Sequence, residues 1–315
     1  MNIVPCRPPF WAYNGHLQTI IAHLIPSPTI KEDGVVFHIP LESDQERIHS
    51  TYIKGQTKIV VYLFHGLSGS TQGDYMQRTA IMARKLGHHV FLNNHRGCGE
   101  GIGLATGPYH SGRAEDLSKI IEFGKRLLPD HRHVAIGFSL SANALLLLAA
   151  RMRASVLPDA AIAVNAPIDL NKASQKLTEG LNRIYDKRFL QRLKVHVKKN
   201  DPSNFYRLER VRSVMDFDEA YTAPLGGFRD RATYYAECSA KDHLSKIEIP
   251  TVMIAASDDP FVSIEDYLDA EVSSKTKLHI EKNGGHIGYL SRKGLTFERW
   301  LDGALESYLI NFNLT

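Results

Sequence analysis

Three side chains lying far apart in the sequence are of types that together carry nucleophilic acyl chemistry: Ser139, an aspartate of the pair Asp258-Asp259, and His286. A serine hydroxyl is a weak nucleophile until a base takes its proton, and the base works best when a third group fixes its orientation. Ser139 sits in Val134-Ala-Ile-Gly-Phe-Ser-Leu-Ser-Ala-Asn143, between a short apolar run and a long apolar helical pattern. An attack-ready serine needs a sharp strand-to-helix turn, and Gly137 two residues before it and Ser141 two after it are small enough to allow one. The helix opened by Leu140 would turn its free N–H groups and the positive end of its dipole toward negative charge developing at Ser139.

The acid and the base follow in order. Asp258 and Asp259 come directly after Ser257 at the end of the apolar run Thr251–Ala256, and His286 follows Gly284-Gly285, which let a loop fold tightly and free the imidazole to reach Ser139. Either aspartate could orient it. The order Ser…Asp…His is that of α/β-hydrolases and of neither familiar serine-protease order. Phe64-His-Gly-Leu67 supplies a fourth part. Gly66 lets the backbone turn so that the N–H of Leu67 faces the site opposite the N–H of Leu140, and each such oxyanion donor is worth roughly 3 kcal/mol to an acyl-transfer transition state.

These residues need a frame that brings strand ends to one rim. The short, β-branched runs 58–64, 89–93, 133–136, 160–164, 251–256 and 277–280 predict buried strands. Helical patterns lie over 75–86, 115–128, 140–153 and 264–270, with a closing helix over 297–312 and a capping box at Ser263 and Asp266. Strands alternating with helices imply an α/β fold, a mainly parallel central sheet with helices on both faces. Residues 35–41 and 49–54 alternate more strictly and predict an antiparallel edge pair. From about 170 to 247 the alternation gives way to a charged, aromatic, helical stretch, read as a cap overhanging the strand ends. The chain thus divides into core residues 1–169, a cap insertion over 170–248, and core residues 249–315.

Composition narrows the function. The chain has 315 residues, 43% of them hydrophobic, enough to bury a large core, and its net charge of +4 is too small an excess to call for nucleic acid. Cys6, Cys98 and Cys238 are too few and too scattered for a disulfide framework or a zinc site, and suit a reducing compartment. His88-His89 and His131-x-His133 lack an accompanying carboxylate or cysteine cluster and read as strand or surface histidines. The glycine-rich run 97–103 lacks both the Walker lysine-serine pair and the dinucleotide spacing. The N-terminus shows no charged region followed by an apolar one, and the run 17–25 is broken by polar residues and too short to span a bilayer. The expectation is a cytoplasmic protein acting on a small-molecule ester without metal or cofactor. The basic run 187–199 would be a solvated helix face or a peripheral contact with anionic lipid. Oligomeric state stays open.

The chain resembles the YheT-like subgroup of α/β-hydrolases. The residues that carry the resemblance are Pro9-Phe-Trp-Ala-Tyr-Asn-Gly-His-Leu-Gln-Thr19, His65-Gly-Leu-Ser-Gly69, Asn94-His-Arg-Gly-Cys-Gly99, Gly137-Phe-Ser-Leu140, Phe217-Asp-Glu-Ala-Tyr-Thr-Ala-Pro224, Asp258-Asp-Pro-Phe261 and Gly284-Gly-His286. The resemblance implies Ser139 as nucleophile, His286 as base and acid, and an acyl or lipid-like ester as substrate. It also favours Asp259 over Asp258, because an acid, any residue and two apolar residues follow the strand in such hydrolases, and Asp259-Pro-Phe-Val262 fits. The chain departs from the subgroup in having Ser141 and Ala142 where two glycines are common; both are small, and the turn is expected to persist. An acyltransferase or thioesterase would use the same triad, and a non-catalytic binding protein could keep the same fold.

Overall fold

Residues 3–41 and 45–314 are described by a computed structural model. Strands β1 (Val35–Pro40), β2 (Arg47–Ile53), β3 (Ile59–Phe64), β4 (His89–Asn93), β5 (Arg132–Phe138), β6 (Ala160–Val164), β7 (Thr251–Ala256) and β8 (Thr276–Glu281) form one sheet in the order β1-β2-β4-β3-β5-β6-β7-β8. The first two join antiparallel and all pairs from β4 to β8 are parallel. Chain order reverses between β3, which pairs with β4 on one side, and β5 on the other. Crevices at such a switch, outside the C-terminal strand ends, are where open α/β sheets bind ligands.

Alternation along β3 shows why the sheet is covered on both faces. Val60, Tyr62 and Phe64 pack into one core with Leu117, Ile121 and Leu145, whereas Ile59, Val61 and Leu63 pack into a second with Met76 and Leu305. The helices are α1 (Gly15–Leu24), α2 (Asp74–Lys85), α3 (Ala114–Leu127), α4 (Leu140–Ala149), α5 (Leu170–Leu177), α6 (Arg183–Asn200), α7 (Val214–Phe217), α8 (Ala223–Leu225), α9 (Arg231–Cys238), α10 (Ile264–Leu268) and α11 (Trp300–Leu314). All ten residues of α4 are buried, as its unbroken apolar sequence requires. Between β6 and β7 the chain is helical, from α5 to α9.

Several expectations shift. The antiparallel pair forms, but only β1 is an edge, because β2 also pairs with β4. The closing helix begins at Trp300, because Thr296–Arg299 forms strand β10 against β9 (Leu290–Lys293). Helix α4 stops at Ala149, and Arg151 and Arg153 adopt left-handed backbone angles, φ 56° and 57°. The capping box at Ser263 does not form: Asp266 instead takes Lys172 and Lys241. The paired histidines bond hydroxyls, His89 to Tyr52 and His133 to Tyr62, each at 2.7 Å. No described helix is long and apolar enough to cross a membrane.

The loop after β4 is fixed by a buried ion pair. Arg96 donates from Nε and Nη2 to the two oxygens of Asp116 (2.7 and 2.8 Å) and from Nη1 to Glu46 (2.6 Å). Removing Asp116 leaves the desolvated Arg96 charge with Glu46 as its one carboxylate partner among the described residues. Asp116→Ala is therefore expected to lose about 3–5 kcal/mol of stability in urea denaturation. A loss below about 1 kcal/mol would place Arg96 in effective contact with water.

Candidate active site

Strand β5 ends in a turn that only a small residue at 137 permits. A Cβ on Gly137 would lie 2.6 Å from the carbonyl oxygen of Ser141. Ser139 then takes φ 53° and ψ −117°, a sparsely populated conformation that costs roughly 1–3 kcal/mol and is retained where the surroundings over-determine it. Its hydroxyl donates to His286 Nε2 at 2.8 Å, and His286 Nδ1 donates to Asp259 Oδ2 at 2.8 Å. Those two partners assign the imidazole tautomer. The three residues named from sequence thus meet at the C-terminal rim of the sheet.

Asp259 is satisfied on every side. Its Oδ1 accepts the N–H groups of Phe261 and Val262, both at 3.0 Å, and its Oδ2 accepts Asn165 Nδ2 at 2.7 Å besides the imidazole. Asp258 points elsewhere and accepts the N–H groups of Gly284 and Gly285, each at 2.8 Å, so it holds the loop on which His286 rides. Burial pushes the Asp258 carboxyl up from its ordinary value, against these two bonds.

Sequence reasoning passed over three other supports of that loop. Asn165, at the end of β6 with φ 48°, also donates to Gly285 O (3.2 Å) and accepts Tyr289 OH (2.9 Å). Thr19 of α1 accepts the His286 N–H at 2.8 Å, and Gln18 bonds Leu290 through both ends of its amide. Helix α1 lies so close that a Cβ on Gly285 would stand 2.4 Å from Gly15 O, and one on Gly15 1.6 Å from Asp258 O. The block Pro9–Thr19 therefore has a physical task, to brace the histidine loop. Its lone His16 bonds Tyr185 OH at 3.1 Å. The only signal for any of this was that block's place in the resemblance.

On the opposite side, the loop after β3 runs beside the serine: a Cβ on Gly66 would be 3.1 Å from Ser139 Cβ. The Gly66 N–H is taken by Tyr75 OH (2.9 Å), whose ring packs on Phe138. Among the described residues neither Leu67 N–H nor Leu140 N–H has an acceptor, and both residues line the space in front of Ser139. Ser141 and Ala142 are fully buried, and the Ser141 hydroxyl donates to His65 O and meets His95 Nε2. His65 and Arg96 serve their own loops.

Two chambers meet at Ser139 and share Leu67, Phe189 and Phe261 as walls. One, of about 750 Å³, runs under α5–α9 and is mostly apolar, with Leu177, Leu193, Val214 and Phe217 among its lining. The other, of about 1050 Å³, opens past His286, Thr19 and Tyr75. The apolar chamber also receives Asp218, which lies in a π-helical turn and accepts Tyr235 OH at 2.7 Å.

The chain matches the alpha/beta hydrolase fold family over residues 59–293 and belongs to it. It is 30% identical to YheT of Escherichia coli strain K12 over 267 residues, covering 82% of this chain and 78% of that protein. It is 24% identical to phospholipase ABHD3 of Mus musculus, covering 90% of this chain and 72% of that one. Among solved structures, an esterase of Pyrococcus furiosus, Pf2001, superposes with a TM-score of 0.60 at 16% identity, over 91% of this chain and 97% of that chain. These relatives carry esterase and phospholipase names within that fold family.

Burial pushes the Asp218 carboxyl up from 3.8 to about 6, against hydrogen bonds from Thr222 and Tyr235 that favour its charged form. A raised carboxyl contributes stability that is complete below the unfolded value and disappears as pH rises through the folded one. Asp218→Asn should thus match the wild type near pH 4 and exceed it by roughly 1–3 kcal/mol at pH 8 in urea denaturation. An offset that is the same at both pH values would contradict the assignment.

Proposed function

We propose that the protein is a serine hydrolase of carboxylic esters with acyl or lipid-like chains, working through an acyl-enzyme. The reading rests most heavily on one observation: the unbroken hydrogen-bond chain Ser139 Oγ–His286–Asp259, at 2.8 Å in each link, beside two backbone N–H groups without acceptors.

In this mechanism His286 Nε2 removes the Ser139 proton as Oγ bonds to the ester carbonyl carbon. The carbonyl oxygen becomes an oxyanion held by the N–H groups of Leu67 and Leu140. The imidazolium, stabilised by Asp259, then gives its proton to the leaving oxygen as the carbon–oxygen bond breaks. Water repeats the sequence against the acyl-enzyme, with His286 again as base, and frees the acid and Ser139. Each step balances with the residues present and one water.

The helical segment 170–248 is read as a cap whose underside makes the acyl chamber, since α5, α6 and α7 supply much of its apolar lining. A mostly apolar lining suits an alkyl chain, because burying each methylene yields about 0.8 kcal/mol. The phospholipase name of the mouse relative is in line with such a substrate.

A fluorophosphonate probe is expected to label the wild type and leave Ser139→Ala unlabelled; equal labelling would remove Ser139 from this role. On a short-chain ester panel, Asp259→Asn should lower kcat by about 10³–10⁴-fold, the size expected when the imidazole loses its orienting carboxylate. Asp258→Asn keeps a side chain able to accept from Gly284 and Gly285 and should lose roughly tenfold or less. The reverse ranking of the two aspartate variants would exchange their roles.

A further inference from the structure

The two chambers differ in which catalytic group they present. His286 lines the open chamber and is absent from the lining of the apolar one, whereas Leu140 lines only the apolar one. The group that protonates the leaving oxygen must touch it. The alcohol half of the ester therefore lies in the open chamber and the acyl half under the cap.

The open chamber is cationic. Arg78, Arg188, Arg192 and Arg299 line it, against a single carboxylate, Asp74. Two of these arginines are accounted for inside the protein: Arg78 pairs with Asp302 at 3.0 Å, and Arg299 donates to Ala22 O and Ile25 O at the end of α1. The other two are not. Arg188 donates a hydrogen bond to His23 Nε2 at 2.5 Å and has no carboxylate partner among the described residues, and Arg192 has neither hydrogen bond nor ion pair among them. They stand four residues apart on α6, so their side chains rise on one face, where two like charges repel. Both side chains reach solvent at the mouth of the chamber, and partial burial followed by the neighbouring Arg188 lowers the Arg192 guanidinium from its usual value. Asp74 pairs with neither arginine: its partner among the described residues is the His23 ring, at 3.6 Å.

An arrangement that is unfavourable when empty becomes favourable around an anion. Planar guanidinium forks fit phosphate and carboxylate oxygens in pairs of hydrogen bonds. We propose that Arg188 and Arg192 form an anion subsite that receives a phosphate or carboxylate carried by the leaving alcohol of the ester. The proposal rests on the hydrolase reading above. In the reaction the anion is a spectator: Oγ–acyl bond formation and leaving-oxygen departure proceed as described, with the serine proton passing through His286 to the alcohol oxygen. The subsite acts by positioning that oxygen beside the imidazole.

Three soluble butanoyl esters test it: of glycerol, of glycerol phosphate and of glycerate, assayed with the wild type, with Arg188→Gln/Arg192→Gln and with Arg192→Lys. The wild type should favour at least one anionic ester over the glycerol ester by about tenfold or more in kcat/KM, mostly through KM. Comparing the phosphate and carboxylate arms decides which anion the subsite takes. The double variant should bring the ratio toward one, Arg192→Lys should keep part of it, and the preference should shrink between low salt and about 0.5 M salt. Equal kcat/KM for all three esters in the wild type, with fluorophosphonate labelling of Ser139 intact, overturns the subsite and leaves the hydrolase standing. No turnover together with no labelling overturns both. Unchanged ester ratios in the double variant, with loss only of binding to anionic phosphatidylserine vesicles, would assign the two arginines to a lipid surface and overturn the subsite.

Discussion

The site depends on keeping one imidazole in place between two partners, and adjacent carboxylates divide that work. Asp259 fixes the ring and Asp258 fixes the loop that carries it. Consecutive residues can face opposite ways because they follow the end of β7, where the chain turns, and because Asp259 is pinned by the backbone N–H groups of Phe261 and Val262 just beyond. A carboxylate that accepts several hydrogen bonds cannot wander, which is what orienting a histidine requires. The ring is gripped sideways too, by Phe261 with ring centroids 4.1 Å apart.

This explains why the first helix matters to a site made by residues more than a hundred positions later. A glycine-rich loop is entropically costly to order. Helix α1 orders it from outside through Thr19 and Gln18, while Asn165 orders it from beneath. The loop is thus clamped between an N-terminal helix and the sixth strand, and the strand ends supply what neither neighbour could alone.

The frame was readable because each central strand is a short β-branched run and each covering helix has a one-sided apolar pattern. Strands β4, β6 and β7 fall on the expected residues, and the others differ by at most two residues at either end. The serine, histidine and aspartate that meet at the rim could be picked out because acyl-transfer chemistry restricts residue type and order. The bracing residues could not: Asn165, Thr19 and Tyr75 are ordinary polar residues whose value arises only from what lies opposite in space. The β9–β10 hairpin was hidden for a different reason. Phe297 fits an amphipathic helix as well as a strand, so a hairpin only ten residues long, turning at Gly294 with φ 58°, competes with a helical pattern over the same residues. The Ser263 box failed, since two lysines from the helical segment between β6 and β7 outbid the local cap for Asp266.

The departure at Ser141 shows how a local change can be absorbed into the site's rigidity. A glycine there would leave the first turn of α4 and the loop after β3 without this hydroxyl between them. The serine hydroxyl instead joins them, donating to His65 O while meeting His95 Nε2. Burial drives His65 well below its ordinary value and His95 down to about 4, so both rings stay neutral and present one donor and one acceptor each. His65 uses its pair on Gly66 O and the His95 N–H. The two backbone stretches bearing the Leu67 and Leu140 N–H groups are therefore tied together by neutral hydrogen bonds in a buried, low-dielectric pocket, where such bonds are strong and a lost partner is costly. Donors fixed in this way would need no reorganisation if charge developed between them, which is the physical condition for stabilising an oxyanion.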